Sequence, residues 1–429
     1  ERGGQLMGGP AGPYRIDIQG YLLGRGELGV GDRLLALLPI SHTAAYDAYY
    51  TSPVDPSTGL PGYAVTQAGV QTLTVSSDNP LVLFNLDVAL EWDASKDTTY
   101  LTQLQYDLNR TSELLYDWSN GQAALGRIRI FHDARRQPEV NGFQPWLNGH
   151  IRIYASNEVH PNAIQGGIVG DRVEETAPNG KQVVYTPGMV HIGSVWNRYA
   201  DFSTLGEDWP RALAHELGHY LFFLDDNYIG QASDGSVQFI SSDPNTGCPG
   251  AMNDPYTDFL AKYQPQASWL PGCANTYSQQ TLGRSDWETI VTHYPWLHAP
   301  GVPIQQVNPG PSGQRLAFTQ FEVVPPPDAA ADRQTLSLPI FTIATADGSA
   351  YQPSAGAFAF LLQDQRLIEL GAPSLDQLVA RGARAGDTLC LLEPDNQRAG
   401  CTTAALGQDQ LMVQAVPGWQ PQVTFSPVT

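Results

Sequence analysis

His215, Glu216 and His219 stand in the order H-E-x-x-H, and those residue types at that spacing suit metal-assisted hydrolysis. Residues four apart share one face of an α-helix, so the imidazoles at 215 and 219 can reach a single tetrahedral cation such as zinc. Glu216 would lie on the rim of that face, where a carboxylate can take a proton from a metal-activated water. The plain alternative is a structural helix with two hydrogen-bonded histidines. The flanking residues support a helix: Asp208 reads as its N-cap and Pro210 as a first-turn residue. Leu213, Leu217, Leu221 and Leu224 form the apolar stripe that would hold this helix in a core.

A catalytic zinc takes three protein ligands and a water, so one more ligand is needed. Asp225 and Asp226 follow the second histidine closely. Neither can lie on the same straight helix as the pair, so the chain must turn back first. Two acids at a helix C-terminus oppose the helix dipole unless a cation lies nearby.

With those residues in place, the segment resembles the metzincin clan of zinc peptidases. Within the clan it is most similar to the IgA-peptidase-type and calcium-activated chloride channel regulator families, whose motif runs H-E-x-x-H-x-x-x-G-x-x-D-E-Y. His215, Glu216, His219, Asp226 and Tyr228 fall on matching positions. The resemblance implies Asp226 as the third ligand, with Tyr228 in support, whereas the commoner metzincin spacing selects Asp225. Two positions depart from the motif: Phe223 replaces the glycine at the turn, and Asn227 replaces an acid. Phe resists the left-handed backbone that glycine accepts there. Upstream, 111–121 and Ile128-Arg-Ile look like the family's first helix and strand. Downstream, Gly250-Ala-Met-Asn-Asp looks like its methionine turn, making Met252 the residue beneath the metal. The likeness covers roughly residues 96–300.

The elements that must position these residues imply an α+β chain of three parts. Residues 1–95 read as an N-terminal β-rich domain, with strand-like runs at 14–18, 33–38, 70–75 and 81–90. Gly24-Arg-Gly-Glu-Leu-Gly29 matches G-x-G-x-x-G but leads into a strand, so it reads as a turn and not a dinucleotide site. Residues 96–300 would be the zincin domain, with helices at 98–120 and 284–293 and strands at 128–131, 151–154 and 189–196. A Pro/Gly-rich linker at 300–313 would lead into 301–429, whose regular strand spacing suggests an immunoglobulin-like sandwich.

Composition narrows the function further. A net charge of -20 over 429 residues disfavours nucleic acid and anionic membrane surfaces. No apolar run is long enough to span a bilayer. Glu1-Arg-Gly-Gly reads as a mature or truncated start, so a leader or anchor has room to precede it. The cysteines form no C-x-x-C pair, and Cys248–Cys273 with Cys390–Cys401 is the simplest pairing, implying an oxidising compartment. The expectation is a secreted zinc endopeptidase with zinc as cofactor, Glu216 as base and a peptide or protein substrate. The alternative is a non-catalytic adhesive or binding protein that retains the zinc site.

Overall fold

The computed structural model describes residues 33–53, 62–67, 72–198, 206–232, 234–257, 261–269, 272–300, 318–327, 335–337 and 339–416, with residue 30 and the short strands 15–16 and 22–23. The glycine-rich turn at Gly24–Gly29 and residues 301–313 of the expected linker lie outside the described residues. Along Ser76–Leu90, Val82, Phe84, Leu86, Val88 and Leu90 alternate and are all buried, the period-two pattern of a strand with one face in the core. This strand, β3, is the spine of an eight-stranded mixed sheet.

Antiparallel strands β1 (Leu37–His42) and β2 (Tyr46–Thr51) extend the sheet from the first part of β3. On the opposite edge β4 (Ala123–Phe131) runs parallel to β3. Parallel neighbours need a crossover, and α1 (Thr98–Trp118) supplies it. Asp97 caps α1 by accepting from the Tyr100 amide at 3.1 Å. Leu104, Leu108 and Leu115 bury its inner face, and Asn120 and Gly121, both at positive φ, end it where the sequence signalled a stop. The end of β3 pairs with β5 (Ile151–Tyr154), followed by β6 (Asn162–Ala163) at the outer edge and β7 (Val190–Gly193) between them. Helix α2 (Asp208–Phe222) carries the H-E-x-x-H residues, and α3 (Asp286–His293) packs near its end.

The architecture is mixed α and β, mostly sheet with few helices, as expected. Several details differ. The boundary near residue 95 does not separate two sheets, because β1–β3 share theirs with β4, β5 and β7. Residues 72–75 are not strand, and β3 begins at Ser76. Asp208 is the first residue of α2, not its cap; Glu207 precedes it with no side-chain capping bond, and the Asp208 carboxylate accepts from the Arg198 amide at 3.3 Å. Strand β8 (Gln320–Val324), expected in the C-terminal domain, pairs in parallel with β4 and completes the main sheet.

Beyond two-stranded pairs (33–34 with 63–64, 173–176 with 182–185, 229–231 with 237–239), the C-terminal strands are β9 (Ile340–Thr345), β10 (Phe358–Gln363), β11 (Arg366–Gly371), β12 (Gln377–Val379), β13 (Thr388–Glu393), β14 (Arg398–Thr403) and β15 (Gln410–Ala415). They follow one hydrogen-bonded path, β11-β10-β13-β14-β15-β9-β12, which includes the parallel pair β9/β15. Strand β15 joins two groups of strands, pairing with β9 along 410–413 and with β14 at 414–415. Sequence spacing locates strands but carries no record of which neighbours pair. The expected disulfides are both present, Cys248–Cys273 and Cys390–Cys401, the second joining directly opposed residues of β13 and β14. No helix among the described residues is long and apolar enough to cross a membrane.

This seven-stranded unit docks on the main sheet through buried charge. Asp133, at the end of β4, receives Arg384 at 2.8 Å and Arg366 at 3.1 Å, and both Asp133 and Arg384 are fully buried. Arg381 bonds Asp97 at 3.0 Å, and Asn157 exchanges hydrogen bonds with Ala372 at 2.8 and 3.0 Å. Removing one partner of a buried pair leaves the other charge unsatisfied, a loss of about 3–5 kcal/mol. Asp133→Ala should therefore lower the denaturation free energy by that amount in a urea titration, while a midpoint equal to wild type would contradict the docking.

Candidate metal centre

Helix α2 is fixed before its chemistry begins. Its Leu213, Leu217 and Leu221 are fully buried, with Leu224 just beyond the helix completing the stripe as the sequence implied. The Trp209 indole donates to the Gly193 carbonyl of β7 at 3.1 Å, and the Tyr294 hydroxyl donates to the Leu221 carbonyl at 2.8 Å. Met252 packs beneath the helix against Gly218: a Cβ at 218 would lie 2.5 Å from the Met252 Sδ. The methionine expected beneath the site is thus against the motif itself.

Phe223 ends the helix in the left-handed region, at φ 64° and ψ 23°. For a residue with a Cβ this backbone costs about 1–2 kcal/mol, so the departure from glycine preserves the turn at some expense. The turn sends the chain back, and Asp226 meets both histidines. Its Oδ1 lies 3.0 Å from the His215 Nε2 and 3.1 Å from the His219 Nε2. The candidate ligand atoms of the three residues all lie within 4.8 Å of one another. Asp225 is not part of this group. Its carboxyl is buried, one oxygen has no partner, and burial pushes its pKa up to about 6.

The opposite ring nitrogens explain the geometry. His215 Nδ1 lies 2.9 Å from the Ala251 carbonyl, and His219 Nδ1 lies 2.7 Å from the Leu224 carbonyl. A carbonyl oxygen only accepts, so each Nδ1 carries a proton and each Nε2 of a neutral ring offers a lone pair. Two lone pairs then face a carboxylate oxygen with no donor among them. Such a set is satisfied by a proton on a ring or by a cation, and backbone-anchored histidines of fixed tautomer are what metal ligation requires. In the metal-free site burial would lower the His219 pKa, but the Asp226 carboxylate outweighs it and lifts the value to about 9. Burial likewise opposes ionisation of Asp226, yet the imidazoles, once a ring takes the extra proton, hold its carboxyl far below the usual range.

Glu216, between the histidines in sequence, is buried, which raises its pKa against the charges of His219 and His215. The Tyr228 phenol lies beside Asp226, and burial and the Asp226 charge raise its pKa. The second departure, Asn227, is fully buried and donates to Asp286 Oδ1 at 3.0 Å, while the Gln264 amide donates to Oδ2 at 2.9 Å. An acid at 227 would meet the Asp286 carboxyl, which burial already pushes up to about 6. The Asn227 amide also donates to the Met252 carbonyl at 2.8 Å, tying the returning chain to the turn below.

Other supports had no signal in the sequence. The Gln165 amide donates to the Phe223 carbonyl at 2.9 Å, the Gly166 amide donates to the His219 carbonyl at 2.9 Å, and His293 and Tyr185 pack on the Phe223 ring. The structure brings His215, Glu216, His219, Asp226, Tyr228 and Met252 together. The two cystines sit apart: Cys248–Cys273 staples the loop that carries Met252, and Cys390–Cys401 lies in the seven-stranded unit. No family model matches the chain, and no curated protein or solved structure matches it.

Gly166 has φ +63°, and a Cβ there would lie 2.4 Å from the Phe223 ring. Gly142 has φ +79° with open space around it. Gly142→Ala should cost about 1 kcal/mol, the left-handed penalty alone, whereas Gly166→Ala should cost at least about 2 kcal/mol more through overpacking. Equal losses in denaturant melts would mean that Phe223 does not occupy this place.

Proposed function

We propose that the chain is a zinc-dependent endopeptidase of the metzincin type, with a zincin catalytic core built on the main sheet and α2. The carrying observation is the convergence of His215 Nε2, His219 Nε2 and Asp226 Oδ1, with both rings anchored through Nδ1. That donor set, two imidazoles and a carboxylate, suits zinc with a fourth position open. When bound, zinc would lower the pKa of a coordinated water and polarise a carbonyl oxygen.

The chain's own residues do the rest. Glu216 accepts a proton from the attacking water and passes it to the leaving amine. Burial favours that exchange, because it brings the carboxylate's affinity for a proton closer to neutrality. Tyr228 stands beside the Asp226 carboxylate, and Met252 packs against Gly218 beneath the histidines. Strand β6 borders α2, and an extended peptide would lie along that edge.

Two disulfides support an extracellular or cell-surface setting, in which a peptide or protein would be the substrate. A purely adhesive role would follow if Phe223 and Asn227, the two departures from the motif, disrupted the site. Both are accommodated here, one by aromatic packing and the other by Asp286, without displacing a ligand atom.

Glu216→Gln should keep stoichiometric zinc and lose about 10²–10⁴-fold in cleavage of a mixed peptide library. Asp226→Ala should lose the zinc itself. Undiminished turnover in the Glu216 variant refutes the assigned base, and zinc-loaded wild type that cleaves no peptide refutes the enzyme.

A further inference from the structure

Phe223 holds a backbone conformation that its side chain disfavours, and the structure surrounds that ring. His293, the last residue of α3, stacks on it with centroids 3.6 Å apart and planes 9° from parallel. Tyr185 meets it edge-on at 4.8 Å, and Gly166 leaves the room its ring needs. His293 is itself placed. Its helix begins with a capping box between Ser285 and Glu288. The Glu175 carboxylate next to it is held by Arg284 at 2.6 Å and by the Tyr185 hydroxyl at 3.2 Å. Its Nε2 is 3.7 Å from Glu175, too far for a hydrogen bond, so its ring contacts are the 3.6 Å stack on Phe223 and a looser edge contact with Tyr185 at 5.5 Å.

We propose that His293 is a positioning residue for the metal centre: its ring, stacked on Phe223, holds the left-handed turn that returns Asp226 to His215 and His219. The proposal rests on the zinc site above, and it adds how a chain lacking the motif's glycine keeps that site assembled. A turn only fractionally populated weakens metal binding in proportion to the fraction lost. Glycine at 223 would adopt the turn unaided, so dependence on His293 is specific to Phe223.

The experiment uses the full chain, zinc titrated against a chromophoric chelator, and amide exchange of the metal-free protein. Temperatures stay below the melting point of every variant. His293→Ala should weaken zinc binding about tenfold, the scale of the left-handed penalty, and should speed exchange of the Leu224 and Asn227 amides, which bond Gly218 and Met252. His293→Phe keeps a ring in the stack and should bind zinc within about threefold of wild type. In a Phe223→Gly background, His293→Ala should change affinity less than about twofold, because that turn needs no clamp.

Unchanged affinity and exchange in His293→Ala would overturn the proposal. So would an equal loss in His293→Phe, which would assign the effect to the Glu175 contact. A loss undiminished in the Phe223→Gly background would make His293 a general packing residue and overturn it too. Wild type that binds no zinc would refute the metal site alone, and the exchange rates would still decide the clamp.

Discussion

Two imidazole nitrogens and a carboxylate oxygen that converge with both Nδ1 protons turned away are the constraint on which this structure turns. Each nitrogen lies about 3 Å from the carboxylate oxygen, and the three are stable together only with a cation or an added proton. The surrounding chain prevents escape from that arrangement. Backbone carbonyls of Ala251 and Leu224 hold the far side of each ring, so neither ring can swing away without leaving an Nδ1 proton unpaired.

Assembly of the group depends on one reversal of the chain. The Phe223 turn carries Leu224 into the core and Asp226 back over the helix, and Asn227 then bonds the Met252 carbonyl. One short segment thereby joins the helix, the ligand and the turn below the site. The sheet provides the floor: β7 receives Trp209, and the core behind α2 is continuous with β3 and α1. Tertiary packing supplies the backbone energy that local propensity withholds.

Much of this was legible in the sequence because it is local. The four-residue spacing of His215 and His219, the leucine stripe and the helices at 98–120 and 284–293 each follow from helical geometry. The cystines followed from proximity along the chain. What escaped notice depends on contacts between distant segments. Nothing in Gln320–Val324 indicates that it pairs with β4 rather than with the strands that follow it. Asp133 gives no sign of meeting Arg384 and Arg366 from more than two hundred residues away. Phe223 looked unfavourable because its partners, His293, Tyr185 and Gly166, are visible only once the chain has folded.

The most direct measurement is anomalous diffraction at the zinc edge from crystals of the full chain grown with zinc. A single peak should appear about 2.0–2.2 Å from His215 Nε2, His219 Nε2 and an Asp226 oxygen, with Asp225 outside the coordination sphere. A map with no peak at these three residues, or with zinc held elsewhere while the two rings face packed apolar side chains, would contradict the account.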